Sequence, residues 1–183
     1  MKLIDKKIWL TADLHFGHNA IIEYCKRPFK TTTEMNNTLI KNFNKTIGKN
    51  DIVYILGDLS FLNTISTTEI VKNLNGFKFL IKGNHDHKTN AGYRKMGFME
   101  VYNHPIILNN QYILSHEPIS GNIGNLINIH GHTHNNVILD NNFNKFCVSV
   151  EMTNYKPIEL SSIKESIEKS NIDNIIKLLA GEK

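Results

Sequence analysis

The chain has 183 residues, 40% of them hydrophobic, and is long enough to bury roughly 70% of its unfolded surface as one domain over residues 1–183. No apolar run approaches the roughly 18 residues of a membrane span, and charges interrupt the first seven residues, so neither a membrane segment nor a secretory signal is predicted. The net charge of +4 comes from scattered basic residues without a basic patch, and the two cysteines predict no disulfide framework. We therefore expect a cytoplasmic protein with no membrane partner.

Short apolar segments rich in β-branched or aromatic residues predict five strands, at 7–12, 52–56, 77–81, 112–114 and 126–129. Amphipathic spacing predicts helices at about 19–26, 32–47, 64–74 and 161–169, with Ser161 as the N-cap of the last and a helical continuation at 173–179. Two later segments, 137–139 and 146–150, alternate in the manner of antiparallel strands. This order of elements indicates a layered α/β domain with mixed sheets.

Side chains able to bind a metal ion follow each of the five predicted strands. In chain order they are Asp13 and His15, then Asp58, then Asn84 and His85, then His116, and finally His132 and His134. Three of these turns carry a glycine directly before the polar residue, where a tight bend or close backbone approach requires one. Because ligands of open α/β sheets bind outside the carboxyl ends of the strands, we expect these side chains to meet.

Imidazole, carboxylate and amide groups without a thiolate suit manganese, zinc, iron or nickel better than calcium. The candidate ligands are Asp13, His15, Asp58, Asn84, His116, His132 and His134. This set is too large for one tetrahedral ion and suits two ions that share a bridging carboxylate. Two divalent ions against two aspartates leave surplus positive charge, which favours a phosphate substrate and in-line displacement at phosphorus.

These motifs, in this order, resemble the calcineurin-like metallophosphoesterases, and residues 13–19 and 24–29 resemble a small single-domain branch found in bacteria and phages. The resemblance implies a layered α/β/β/α sandwich of two mixed β-sheets flanked by helices. It assigns one ion to Asp13, His15 and His134, the other to Asn84, His116 and His132, and makes Asp58 the bridge.

The resemblance gives His85 a catalytic role without metal binding, in which it hydrogen-bonds the phosphate and stabilises or protonates the leaving group. Asp86 is expected to orient the His85 imidazole. The residues after Gly57 and Asp58 read Leu-Ser-Phe, where the protein serine/threonine phosphatases have a downstream Asp-Arg-Gly, so that activity is not expected.

Two further residues are candidates for substrate binding. His18 lies at the start of the first predicted helix, where it either contacts phosphate or caps the helix. Arg27 precedes a proline at the end of that helix; a packing or ion-pair role is favoured over a phosphate clamp.

The resulting hypothesis is a dinuclear phosphoesterase in which a metal-bridging hydroxide attacks a phosphodiester or nucleotide-type substrate. Manganese is the first expectation, with iron, zinc or nickel as alternatives. A phosphomonoesterase and a non-catalytic metal-binding scaffold of the same fold stay open as alternatives, and the presence of His85 favours catalysis. The partner is expected to be a phosphorylated small molecule or nucleotide; a nucleic-acid end, the pathway and the oligomeric state stay open.

Overall fold

In a computed structural model of the chain, two β-sheets pack against each other with helices outside them. The structure describes residues 6–136, 144–167 and 169. The strands in this part are β1 Ile8–Thr11, β2 Ile52–Ile55, β3 Phe77–Ile81, β4 Glu100–Tyr102, β5 Ile106–Leu108, β6 Tyr112–Leu114, β7 Ile127–His130, β8 Lys145–Cys147 and β9 Ile158–Glu159. The helices are α1 Ala20–Tyr24, α2 Thr32–Thr46, α3 Thr64–Asn73 and α4 Asn90–Met96, and residues 160–167 are also helical.

Both sheets are mixed. The first has the strand order β4-β3-β2-β1-β9, in which β1 to β4 are parallel and β9 is antiparallel to β1. The second has the order β5-β6-β7-β8, in which only β5 runs antiparallel to its neighbour. The predicted fold class, a layered α/β arrangement of two mixed sheets flanked by helices, is confirmed.

Each face of the first sheet has its own hydrophobic core, because successive side chains of a strand point to opposite faces. Val53 and Ile55 of β2 pack in one core with residues of the helices. Leu10 and Ile81 belong to a second core, which they share with Leu114 and Ile129 of the other sheet. The second core therefore lies between the two sheets and holds them together.

Helix α2 shows how local sequence defines an element. The Thr31 hydroxyl accepts a 3.1 Å hydrogen bond from the amide of Glu34, whose carboxylate accepts one of 2.8 Å from the amide of Lys30. These contacts satisfy one free amide of the first turn and one just before the helix. Met35, Leu39 and Phe43 recur at helical spacing and are buried, so they attach α2 to the sheet.

The five predicted strands and the first three predicted helices are present, with ends that differ by a few residues. Strands β4, β5 and β9 were not predicted, because two or three residues are too few to show a periodicity. Helix α4 was also missed; it is seven residues long and begins after Thr89, whose hydroxyl accepts from the Gly92 amide.

Two sequence predictions were wrong. Strand β8, within the segment expected to be antiparallel, pairs parallel to β7, and Ser149 forms a parallel bridge with Ala12. Alternation shows that one face of a strand is buried, and it does not encode strand direction. The last helix begins at residue 160, so Ser161 lies inside it instead of capping it. The segments 137–139 and 173–179 lie outside the described residues.

None of the helices in the described ranges has the length and apolar character needed to cross a membrane.

Candidate metal centre

The turns after β1, β2, β3, β6 and β7 converge at one edge of the sandwich. The Asp13 amide donates to the Gly57 carbonyl at 3.1 Å, which joins the turns after β1 and β2. The His132 amide donates to Oδ2 of Asp13 at 2.9 Å, which joins the two sheets. The structure thus brings the seven side chains predicted as ligands into one cluster, although they come from two sheets.

Five of these seven residues have a left-handed backbone conformation that side-chain-bearing residues rarely adopt. Their φ angles are 57° for Asp13, 50° for His15, 54° for Asp58, 68° for His132 and 51° for His134. Such conformations cost of order 1 kcal/mol or more each and cluster at functional sites. The backbone conformations of these turns therefore direct the five side chains towards one another.

Two glycines permit the close backbone approach that the cluster needs. A Cβ atom on Gly83 would lie 2.3 Å from Oδ1 of Asp58, and one on Gly131 would lie 2.6 Å from Oδ2 of Asp13. No side chain can be accommodated at such distances without a shift of the aspartates. The expectation of glycine for close approach is confirmed at these two turns.

The first group of candidate ligands consists of Asp13, His15 and His134. Oδ1 of Asp13 lies 3.9 Å from Nε2 of His15 and 4.0 Å from Nε2 of His134. Oδ1 of Asp13 and Nε2 of His15 are buried and have no hydrogen-bond partner in the described part of the chain. Buried polar atoms are almost always satisfied, and a cation between these atoms would satisfy them. The group therefore fits a divalent ion.

The second group consists of Asn84, His116 and His132. Nδ1 of His116 donates to the Leu56 carbonyl at 2.8 Å, because a carbonyl can only accept. Nε2 of His116 lies 2.8 Å from Oδ1 of Asn84 and 3.2 Å from Nδ1 of His132, and in the neutral ring this nitrogen carries the lone pair that can bind a cation. An imidazole lone pair beside an amide oxygen is an arrangement suited to a shared cation.

Asp58 borders both groups. Its Oδ2 atom lies 3.5 Å from Nε2 of His15 in the first group and 3.5 Å from Nε2 of His116 in the second. Its other oxygen accepts a 2.9 Å hydrogen bond from the amide of His85. The carboxylate therefore has one oxygen fixed by the backbone and one directed between the groups.

Burial dominates the protonation of two residues of the centre, His15 and Asp13. It lowers the pKa of His15 to about 2, so the imidazole is neutral at physiological pH, as ligation requires. Burial also raises the pKa of Asp13, because the described residues do not fully compensate this carboxylate. A bound cation would supply the missing charge.

His85 projects from the cluster towards solvent, and 42% of its side chain is exposed. Its Nε2 atom lies 4.0 Å from Oδ2 of Asp58, and its ring packs 4.9 Å from the ring of Phe61. The imidazole thus lies beside the candidate metal ligands and is accessible to a molecule that binds from solvent.

Asp86 does not orient His85 in the way the sequence suggested. One of its oxygens accepts from the amides of Asp58 and Gly83, and the other accepts from the Leu59 amide and the Tyr93 hydroxyl. Its four hydrogen bonds therefore hold the turn that carries Asp58. The difference arises because Asp86 follows a sharp turn that directs its side chain inward and His85 outward.

The two candidates for substrate binding differ in position. Helix α1 begins after Asn19, so His18 does not cap it; Nδ1 of His18 lies 3.2 Å from Nδ1 of His15, and the ring lines an open cavity. The guanidinium of Arg27 is fully buried, donating to Glu151 and to the carbonyls of Asp13 and Leu14. This is the ion-pair role, and a buried guanidinium cannot also clamp a phosphate.

Sequence reasoning missed Ser149 and Glu151. The Ser149 hydroxyl donates to Oδ2 of Asp13 at 2.6 Å, and Glu151 accepts from Nδ1 of His134 at 3.0 Å. Both follow β8 in the structure, but Ser149 lies inside the strand predicted at 146–150 and only Glu151 follows it. The rule that was applied to the first five strands, that polar residues after a strand face the site, would therefore have found Glu151 and not Ser149.

A sandwich of two mixed sheets with imidazole, carboxylate and amide groups at its strand ends is the architecture of a metal-dependent hydrolase. A family model described as calcineurin-like phosphoesterase matches residues 6–176, and the chain belongs to this family. It is accordingly a metal-dependent phosphoesterase with clustered side chains able to hold divalent metal.

The chain is similar to an uncharacterised protein of Methanocaldococcus jannaschii, with 40% identity over 91% of this chain and 94% of that protein. It is 29% identical to the Gene 66 protein of Mycobacterium phage L5, over 75% of this chain and 82% of the phage protein. A crystal structure of a protein of unknown function from Aquifex aeolicus superimposes with a TM-score of 0.71 and 27% identity, over 88% of this chain and 99% of the other.

Proposed function

We propose that this phosphoesterase hydrolyses phosphodiesters, in particular those with a nucleotide-like organic group, and that it uses two divalent cations, with Mn²⁺ as the first choice. The observation that carries the proposal is the position of Asp58 Oδ2, 3.5 Å from a histidine nitrogen of each ligand group. A carboxylate in this position is suited to bridge two cations.

When bound, paired divalent ions supply a water activated for attack and charge that stabilises the attacking and leaving oxygens. His85 is the residue proposed to assist the leaving oxygen, because its imidazole is exposed beside Asp58 and an imidazole can donate a proton. Asp86 keeps Asp58 in place through the amide of Asp58 itself. Gly83 leaves the space in which this turn approaches the carboxylate.

Two cavities that border the candidate ligands support a diester over a monoester. One, of about 510 Å³, is lined by His15, His85 and His134. The other, of about 400 Å³, is lined by Asn84 and His116 together with Lys82. A diester carries an organic group on each side of phosphorus and could occupy both cavities, whereas a monoester needs only one.

The two alternatives make different demands. A phosphomonoesterase would use the same centre, and a non-catalytic scaffold would bind metal without a need for His85.

We further propose a cytoplasmic location, which the free thiols of Cys25 and Cys147 support.

The test is hydrolysis of bis-p-nitrophenyl phosphate and p-nitrophenyl phosphate by the purified protein loaded with Mn²⁺, Ni²⁺, Zn²⁺ or Fe²⁺. We expect turnover of both, with the diester preferred. Faster turnover of the monoester would favour the first alternative. Inactivity towards both, with bound metal demonstrated by calorimetry, would favour the scaffold.

Matched variants separate catalysis from metal binding. His85→Ala should lose about 100-fold or more in kcat and retain metal. Asp58→Asn should weaken metal binding itself. His87→Ala, which removes an exposed histidine two positions from His85, is the control and should match the unsubstituted protein.

A further inference from the structure

The cavity on the side of His15, His85 and His134 has an aromatic wall that coordination of metal does not require. Its volume is about 510 Å³, within the range of sites for small organic ligands. Phe61 and Tyr24 line it together with Asn135, whose Nδ2 donates to the Cys25 carbonyl at 3.4 Å, and Asn136. The cavity therefore combines apolar rings, a few hydrogen-bonding groups and direct access to the candidate ligands.

Phe61 is held in a fixed orientation. Its ring stacks on His18 with centroids 3.9 Å apart and planes 15° apart, and on His15 with centroids 5.4 Å apart. Even so, 43% of Phe61 is exposed. A large apolar ring that is oriented by its neighbours and still open to solvent is a surface on which a planar ring can stack.

Tyr24 supplies a second exposed ring in the same cavity. It is 75% exposed, although most large apolar side chains in the described ranges are at least partly buried. Asn135 and Asn136 are also exposed, and they directly follow His134, the last histidine of the centre. Amide side chains both donate and accept hydrogen bonds, as the edge of a nucleobase does.

We propose that this cavity binds the nucleobase of a nucleotide substrate, with the ring stacked on Phe61 and Tyr24 and its edge towards the two asparagines. The inference rests on the proposed function and deepens it, because it assigns a place to the organic group. Base stacking on an aromatic side chain is sequence-tolerant, so we expect a preference for nucleotides over plain phosphates and little selection among bases.

The test compares two ligands that share a phosphate and a ribose and differ only in the base. Binding of adenosine 5′-monophosphate and of ribose 5-phosphate to the Mn²⁺-loaded protein is measured by calorimetry. We expect the nucleotide to bind about ten-fold tighter or more. Tyr24→Ala and Phe61→Leu should each reduce this ratio towards one while binding of ribose 5-phosphate is retained.

Tyr24→Ala is the cleaner variant, because Phe61 also packs on His15. Ile107→Ala, which removes an exposed apolar side chain on β5, is the matched control and should leave the ratio unchanged. Equal affinities in the unsubstituted protein, or a ratio that both cavity variants preserve, would overturn the inference while ester hydrolysis could stand. A preserved nucleotide preference without turnover of any ester would instead contradict the proposed function.

Discussion

Oε1 of Glu151 accepts a 3.0 Å hydrogen bond from Nδ1 of His134 in the protein interior. Because a carboxylate can only accept, Nδ1 of His134 carries the proton and Nε2 is directed at Asp13. Arg27 donates to the same Oε1 atom at 2.7 and 2.8 Å. Burial alone would lower the pKa of His134, but the bond to Glu151 and the nearby carboxylates raise it overall. Glu151 thus selects the tautomer that a metal ligand needs.

We predict that Glu151→Gln weakens divalent-ion binding by about 10- to 100-fold, the usual cost of removing a carboxylate that orients a ligating histidine. Calorimetric titration of the metal-free protein with Mn²⁺ measures the change. Glu159→Gln, whose partner Lys7 is exposed, is the control and should bind as the unsubstituted protein does. An unaltered affinity of Glu151→Gln would show that His134 does not depend on Glu151.

The two arginines of the chain offer a matched comparison of buried and exposed ion pairs. Arg27→Met removes the guanidinium partner of the buried Glu151 carboxylate and leaves it only the hydrogen bond from His134, so we expect a loss of about 3–5 kcal/mol in the free energy of unfolding. Arg94→Met breaks the exposed pair with Glu100 and should cost less than about 1 kcal/mol. Urea denaturation of the metal-free proteins measures both. Similar losses for the two variants would contradict a structural role for Arg27.

Asp86 and His85 are adjacent in the sequence, but we expect their substitution to change stability by different amounts. Asp86→Ala leaves the buried amides of Asp58 and Leu59 and the half-buried amide of Gly83 without their acceptor, so we expect a loss of about 3 kcal/mol or more in stability, together with weaker metal binding. His85→Ala, at a partly exposed position, should change stability by less than about 1 kcal/mol. Equal stability of the two variants would restore the expectation that Asp86 acts on His85.

The metal-free protein should lose stability as the pH falls from 7 to 5. The pKa of His15 is about 2 in the fold against 6.5 ordinarily, so the unfolded chain binds the additional proton below pH 6.5. The slope attributable to His15 approaches about 1.4 kcal/mol per pH unit. Urea denaturation at several pH values in the presence of a chelator measures it. His15→Asn cannot take up this proton, so its free energy of unfolding should depend less steeply on pH. Equal slopes of the free energy of unfolding against pH for the two proteins would contradict the prediction.

Much of the fold was readable from the sequence because its signals are local. The run 52–56 is apolar, rich in β-branched residues and followed by Gly57, and Ile52–Ile55 is a strand in the structure. Strand β9 has only two residues, Ile158 and Glu159, and is defined by pairing with Trp9 and Leu10, about 150 positions earlier. No local pattern encodes such a pairing.

Eight residues of the centre could be selected from the sequence, because each follows an apolar strand and parallel strands bring their carboxyl ends to one edge. They are Asp13, His15, Asp58, Asn84, His85, His116, His132 and His134. The sequence therefore determined which side chains meet. The tertiary structure decided what each one contacts: Arg27 and Asp86 turn inward to hold the turns of Asp13 and Asp58, and Ser149 and Glu151 join the centre from a distant strand. The physical reason is that a contact partner depends on the backbone angle at each turn, and five of the ligand residues lie in a conformation that local propensity disfavours.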